Sequence, residues 1–229
     1  MGGQSFPEKM NNITFEQYRR IDLTILSILL VISEGLTTLA TTKWFVAVPF
    51  AISTTLLFMC IGMMRWGGYS FILAALGGAT FALASGADAK RFVIYILGNL
   101  FSLLALFFIR AVGKTKLRKS IPLLVAYAVI TYLSVCIGRW LVSLIFEFSL
   151  GSLLAYLGID VITLLFTAVV VPLLRNVDGM IEDQREYIIR QAKEREAEQR
   201  KDTNALEEIT SDPDYLDDVF DDEGGEANI

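Results

Sequence analysis

An all-α integral membrane protein, a six-transmembrane-helix bundle, is the fold class this sequence predicts, and three observations predict it. Hydrophobic residues make up 54% of the 229-residue chain, but the charges are spread so unevenly that long blocks carry almost none. Those blocks recur as six segments, each near the ~20 residues needed to cross a hydrocarbon core. Basic residues gather in alternate connections between them, the bias that orients membrane helices. Lipid cannot satisfy free backbone N–H and C=O groups, so every block should be a helix.

Residues 1–20 are polar and end in Arg19 and Arg20 at the edge of the first block. No small-residue cleavage site closes that block, so it is expected to stay in the mature chain. The transmembrane domain is expected over 21–175. Its first span covers about 21–41 and carries Glu34 among several Ser and Thr. After the tight turn at Thr42 and Lys43, the second covers about 44–64, with Pro49 near its start, where proline costs least. The third covers about 69–87. Here Ala74, Gly78, Ala82 and Gly86 recur every fourth residue, a row along which another helix backbone can come close. A short charged turn (Asp88, Lys90, Arg91) leads to the fourth span, about 92–112, with Tyr95 and Asn99 in its first turns. The fifth covers about 121–141 and the sixth about 150–174.

Arg19, Arg20, Arg65, Arg110, Lys114, Lys116, Arg118, Lys119 and Arg175 all fall on one side of such a bundle. The other side has only Lys43, Lys90, Arg91 and Arg139. The positive-inside rule then puts both termini in the cytoplasm of a multi-pass cell-membrane protein. Residues 176–201 are expected to form a cytoplasmic amphipathic, charged helix, opened by a break at Asp178-Gly179 and supported by Glu186–Arg190 and Glu196–Arg200 at i,i+4. Residues 202–229 are expected to be an acidic, disordered tail, with ten acids and no base from Thr203 onward. The acidic pI of 4.9 is therefore a property of the tail, and the membrane body is basic.

Composition excludes several functions. There is no histidine, which removes His-ligated haem and zinc and every Ser-His or Cys-His nucleophile. Cys60 and Cys136 lie inside apolar blocks and read as small packing residues. No GxxxxGK[ST] sequence is present, so any ATP use belongs to another chain. The acidic tail would repel phosphate, which argues against a nucleic-acid partner. No metal site, cofactor or catalytic residue is expected. A membrane enzyme would have to work with Glu34 and Asp160 as an acid–base pair, and no spacing motif supports that.

Once the orientation is set, the intramembrane polar groups fall in the outer half of the bundle. Ionisable groups there are costly and face a bundle interior or a wet cavity. Glu34 and Asp160 are the leading candidates for a substrate site, with an internal ion pair to Arg139 that only fixes the packing as the structural alternative. Lys43-Trp44 and Arg139-Trp140 read either as interfacial anchors or as pocket walls. Asp88, Arg91, Tyr95, Asn99 and Glu147 complete the candidate small-molecule pocket.

The stretch RWGGYSFILAALGG, the YILGN at 95–99 and the GRW at 138–140 resemble the substrate-binding S-components of energy-coupling factor (ECF) transporters. The resemblance covers about residues 15–175. It implies a pocket open to the outside for a vitamin-like molecule, with a transmembrane coupling subunit and cytoplasmic ATPases as partners. The family's first helix docks through small residues four apart, and here that spacing is held by Ser33, Thr37 and Thr41. The alternative is a non-transporting scaffold resembling the MreD cell-envelope subunits, recruiting cytoplasmic partners through the C-terminal helix and tail.

Overall fold

A computed structural model describes residues 14–43, 52–146 and 152–211, and those residues are all helical apart from turns and short connections. The described residues divide into two compact units, the first ending at Gln184 and the second beginning at Arg185. Four helical stretches are long and apolar enough to cross a membrane: Phe15–Lys43, Thr55–Ala84, Ala89–Val112 and Ile121–Ile145. Six spans were expected, and the difference arises at the second and sixth.

The first helix, α1 (Phe15–Lys43), is a single rod of 29 residues. The second expected span does not form over its full length among the described residues. Residues 44–51 lie outside them, Ile52 and Ser53 are not helical, and α2 runs only from Thr55 to Trp66. At 12 residues, α2 is about 18 Å long, well short of a ~30 Å core. Gly67 stops it at φ 58°, a left-handed conformation that suits glycine. One 3-10 turn (Gly67–Ser70) then starts α3 (Phe71–Ala84). The stretch Thr55–Ala84 is thus a hairpin, not one rod. A Cβ on Gly77 would lie 2.2 Å from the Thr55 side chain, and one on Gly62 would lie 2.5 Å from that of Leu73. In a straight helix Thr55 and Gly77 would be about 33 Å apart.

A turn built from two end signals joins α3 to α4 (Ala89–Leu100). The Ala87 N–H donates to the Ala82 carbonyl and the Gly86 N–H to that of Leu83, with Gly86 at φ 69°, which is a Schellman stop. Asp88 then caps α4 by accepting the Arg91 N–H at 2.9 Å. Gly86 therefore ends the helix, and the packing row stops at Ala82. Within that row, Ala74 and Ala82 are fully buried, and a Cβ on Gly78 would lie 2.5 Å from the Tyr95 carbonyl.

After a 3-10 turn (Phe101–Leu104), α5 (Ala105–Val112) continues α4. The short basic helix α6 (Lys114–Lys119) leads to α7 (Ile121–Ile145), which has Pro122 in its first turn, where no N–H partner is lost. Two short helices follow, α8 (Ser152–Ile159) and α9 (Val161–Leu174), interrupted at Asp160.

The core explains the arrangement. Nearly every residue of α2 is buried, the pattern of a helix apolar all round and surrounded by others. Its neighbours are α1, α3, α7 and α9. Met59, Met63, Tyr127 and Leu30 pack at the centre, and the Tyr127 hydroxyl donates to the Cys60 carbonyl at 2.9 Å. Both cysteines are buried and free.

One end of the bundle is basic, and there the connections are tied together. Arg65 pairs with Asp22 at 2.5 Å, Lys114 with Asp183 at 2.5 Å and Arg118 with Glu182 at 2.9 Å. Arg175 donates to the Lys119 carbonyl. Since Arg65 lies at Asp22 and Thr55 at Glu34, α2 runs antiparallel to α1, and α3 runs parallel to it.

In the second unit, α10 (Gln184–Ser211) has 28 residues. It is highly charged, with Arg190 pairing to Glu194 at 3.7 Å and resting over the Tyr187 ring. Helix continues through 202–211, which corrects the expectation of disorder there. The remaining 18 residues of the acidic tail lie outside the described residues.

Candidate functional site

Two buried polar clusters meet inside the bundle, one at the start of α2 and the other at the α8–α9 break. The first forms around Glu34, which has no exposure to solvent. One of its carboxylate oxygens accepts the Thr54 N–H at 2.7 Å, the Thr55 N–H at 2.9 Å, and the Ser53 and Thr54 hydroxyls at 3.0 Å each. These are the free donors at the start of α2. A carboxylate there satisfies the N–H groups and faces the positive end of the helix dipole. The Glu34 side chain thus caps a neighbouring helix, and its charge is met by N–H and O–H donors, with no cationic partner among the described residues.

The second cluster is built on Arg139 of α7. Its Nη1 donates to Asp160 in an ion pair. Nε and Nη2 both donate to the Asn99 carbonyl oxygen, at 3.1 and 3.0 Å. The Asn99 amide in turn donates to the Ala74 carbonyl at 3.3 Å. The guanidinium also lies 4.9 Å from the centre of the Tyr95 ring, a cation–π contact. Glycine creates the path for this side chain. A Cβ on Gly98 would fall 2.5 Å from Arg139 Cγ, and one on Gly138 would fall 2.5 Å from the Gly98 carbonyl. The two glycines let α4 and α7 cross closely enough for the arginine stem to pass between them.

Asp160 sits in the break between α8 and α9, at φ −95° and ψ 10°. Thr163, one turn later, accepts the Ser53 N–H at 2.9 Å and so ties this break to the start of α2. Between the clusters is a void of about 10 Å³, lined by residues including Ser53, Thr55, Tyr132, Arg139, Asp160 and Thr163. That is room for one water at most, whereas ligand pockets commonly enclose about 300–1,000 Å³. The arrangement is closed, with its charged groups satisfied by protein partners. Among the described residues the buried Thr55 hydroxyl, which lines the void, and the buried Trp140 indole N–H have no hydrogen-bond partner.

The structure thus brings together Glu34, Tyr95, Asn99, Arg139 and Asp160 from the expected pocket. An ion pair with Arg139 was the structural alternative for Glu34 and Asp160 alike, and it forms with Asp160. Asp88 and Arg91 stand apart as an exposed helix cap, and Lys43 is exposed at the end of α1. Trp140 is half-buried next to the cluster, while Trp44 and Glu147 lie outside the described residues. The Ser33–Thr37–Thr41 row turns inward: Thr37 and Thr41 bond carbonyls of α1 itself, and Ser33 meets the Thr54 hydroxyl at 3.0 Å. Ser53, Thr54, Thr55 and Thr163 were missed from sequence. The signal for the first three was a run of hydroxyl residues directly before the apolar LLFMCIGMM, a helix-start pattern.

Among the described residues no group of three or more acidic or cysteine side chains could hold a metal ion. No protein-family model matches this chain, and no curated protein or solved structure matches it either.

Proposed function

We propose that this chain is a multi-pass membrane subunit that captures a small polar molecule at the junction of α1, α2, α7 and the α8–α9 break. One observation carries the reading. The start of α2, the α8–α9 break and three buried charges lie together, beside a void of single-water size. Discontinuous helices are the usual substrate-binding device of transporters, because a half-helix offers unpaired backbone groups inside the bilayer. Buried charges at such a place are costly unless they are used. Glu34, Arg139 and Asp160 would orient a ligand by charge, with Tyr95 and Trp140 as stacking surface. Binding would require the Arg139–Asp160 contact to open.

In this reading the chain crosses the membrane six times, with α8 and α9 sharing the last crossing. Both termini are cytoplasmic, because the basic end of the bundle holds Arg65 and the α6 lysines. Energy would come from separate ATPase subunits through a coupling subunit, as the resemblance to ECF S-components implies. Thermal unfolding of the purified protein against a panel of vitamins and polar metabolites tests the proposal. At least one compound should raise the midpoint, and Asp160→Asn should abolish the rise. A panel without any shift would sink it.

A second reading is favoured by the closure of the site. Its charges are internally matched and the void is of single-water size, as expected for a rigid scaffold. The 28-residue α10 and the acidic tail would then recruit cytoplasmic partners. Deleting 203–229 separates the two: lost cellular function with intact ligand uptake supports the scaffold.

A further inference from the structure

Along the outer side of α1 runs an open groove of about 570 Å³, far larger than the void at the polar junction and lined by Arg20, Leu23, Ser27 and Val31 of that helix and by Ile72 of α3. We propose that it binds one acyl chain of an anionic phospholipid, with the Arg20 guanidinium holding the phosphate.

Three features select this occupant. The groove is one leaflet deep. From Arg20 to Ile32, its last lining residue on α1, is about 18 Å at 1.5 Å per residue, against about 15 Å for half a hydrocarbon core. It closes where the parallel helices α1 and α3 converge, at Gly35 and Thr80, where a Cβ on Gly35 would be 3.9 Å from the threonine methyl. A membrane-spanning helix needs a groove running the full depth, while an acyl chain needs only this much. The walls are apolar, because the Thr24 hydroxyl is turned away to donate to the Arg20 carbonyl at 2.8 Å.

Charge complementarity comes from Arg20 itself. Its neighbour Arg19 lies over the Tyr69 ring at 4.1 Å and Arg65 is paired with Asp22. Arg20 is exposed and has no ion pair among the described residues. It stands at the basic end of the bundle, at the mouth of the groove, where a headgroup phosphate would lie. Cationic side chains at that level attract anionic lipid. The inference does not depend on the proposed small-molecule site.

Native mass spectrometry of the purified full chain, incubated with phosphatidylglycerol or phosphatidylcholine of identical chains, tests it. Phosphatidylglycerol adducts should exceed phosphatidylcholine adducts at least threefold. Arg20→Gln should bring that ratio near one, and Ser27→Phe, which fills the groove, should lower both adducts at least threefold. Should Ser27→Phe lose helical circular dichroism, Ile28→Trp supplies the same filling. Equal adducts for the unaltered chain, a preference that survives Arg20→Gln, or full occupancy in a folded groove-filled variant would overturn the proposal. So would efficient disulfide pairing of two Ser27→Cys chains in native membranes, which would make a second copy the occupant.

Discussion

Glu34 of α1 accepts the backbone N–H of Thr55 at 2.9 Å, so a side chain of one helix caps the start of another inside the bundle. Removing it strands the Thr54 N–H, takes the acceptor from the Ser53 hydroxyl and leaves the Thr55 N–H only its 3.2 Å bond to that hydroxyl. Each stranded donor costs about 1–3 kcal/mol. Glu34→Ala should therefore lower stability by about 3 kcal/mol. Glu34→Gln, which keeps one acceptor oxygen and can aim its amide at the Thr38 hydroxyl, should lose about half as much. Equilibrium unfolding in detergent followed by circular dichroism checks this, and equal midpoints for both variants would contradict the capping role.

Arg139 and Asp160 should behave as a coupled pair. Truncating one partner leaves the other as an uncompensated buried charge, a loss of about 3–5 kcal/mol. Arg139→Met and Asp160→Asn should each fall in that range, while the double variant should lose clearly less than their sum. Asn99 sets an upper limit on the recovery, since Arg139→Met also strips its side-chain oxygen of both donors. A double-mutant cycle measured by unfolding reads the coupling, and strict additivity would mean that the ion pair is energetically idle.

The periodicity of α1, α4–α5 and α7 was readable because each is a continuous apolar run, and the run length alone implies a bilayer-spanning helix. The start of α2 at Thr55 and the break at Asp160 were not readable that way. Hydropathy averages over some twenty residues and does not register where backbone hydrogen bonding stops. The Glu34 cap joins residues twenty positions apart, so its partners depend on which helices come to rest side by side. Arg139–Asp160 was foreseeable as an opposite-charge pair at similar depth. The route of Arg139 past Gly98 was not, because it needs the crossing point of α4 and α7. Gly86 shows the reverse error. Its i+4 spacing from Ala82 fitted a packing row, but a glycine followed by Ala-Asp is equally a helix stop and cap, and that local chemistry prevailed.

The glycines should divide sharply on substitution by alanine. Gly98 and Gly138 each face neighbouring atoms 2.5 Å from a would-be Cβ, part of them backbone of the crossing helix. Backbone cannot swing aside, so both substitutions should cost about 2 kcal/mol or more, in the manner of overpacking. Gly86 has open space around it and φ 69°, so alanine there should cost only the left-handed strain of about 1 kcal/mol. Gly68 has open space and no positive φ, and Gly68→Ala should be neutral. The same ranking should appear in unfolding midpoints, and a neutral Gly98→Ala would rule out the close α4–α7 crossing.

At the basic end, the turn after α9 is held to the α5–α7 connection by Lys114–Asp183 at 2.5 Å and Arg118–Glu182 at 2.9 Å. Lys114, Arg118 and Asp183 keep about a quarter of their side-chain surface exposed, and Glu182 about a tenth. Solvent screens such pairs, so each is worth at most about 1 kcal/mol. Raising salt to 1 M shortens the screening length to about 3 Å and should loosen the turn while leaving the bundle folded. Amide hydrogen exchange across 176–183 should therefore quicken with salt, whereas exchange in α2 should not change. Lys114→Glu should reproduce the quickening at low salt by placing two acids together. Adding Asp183→Lys should restore protection, because the reversed pair has the same geometry with the charges exchanged. Exchange indifferent to both salt and charge reversal would mean that the turn is held by packing, with the ion pairs incidental.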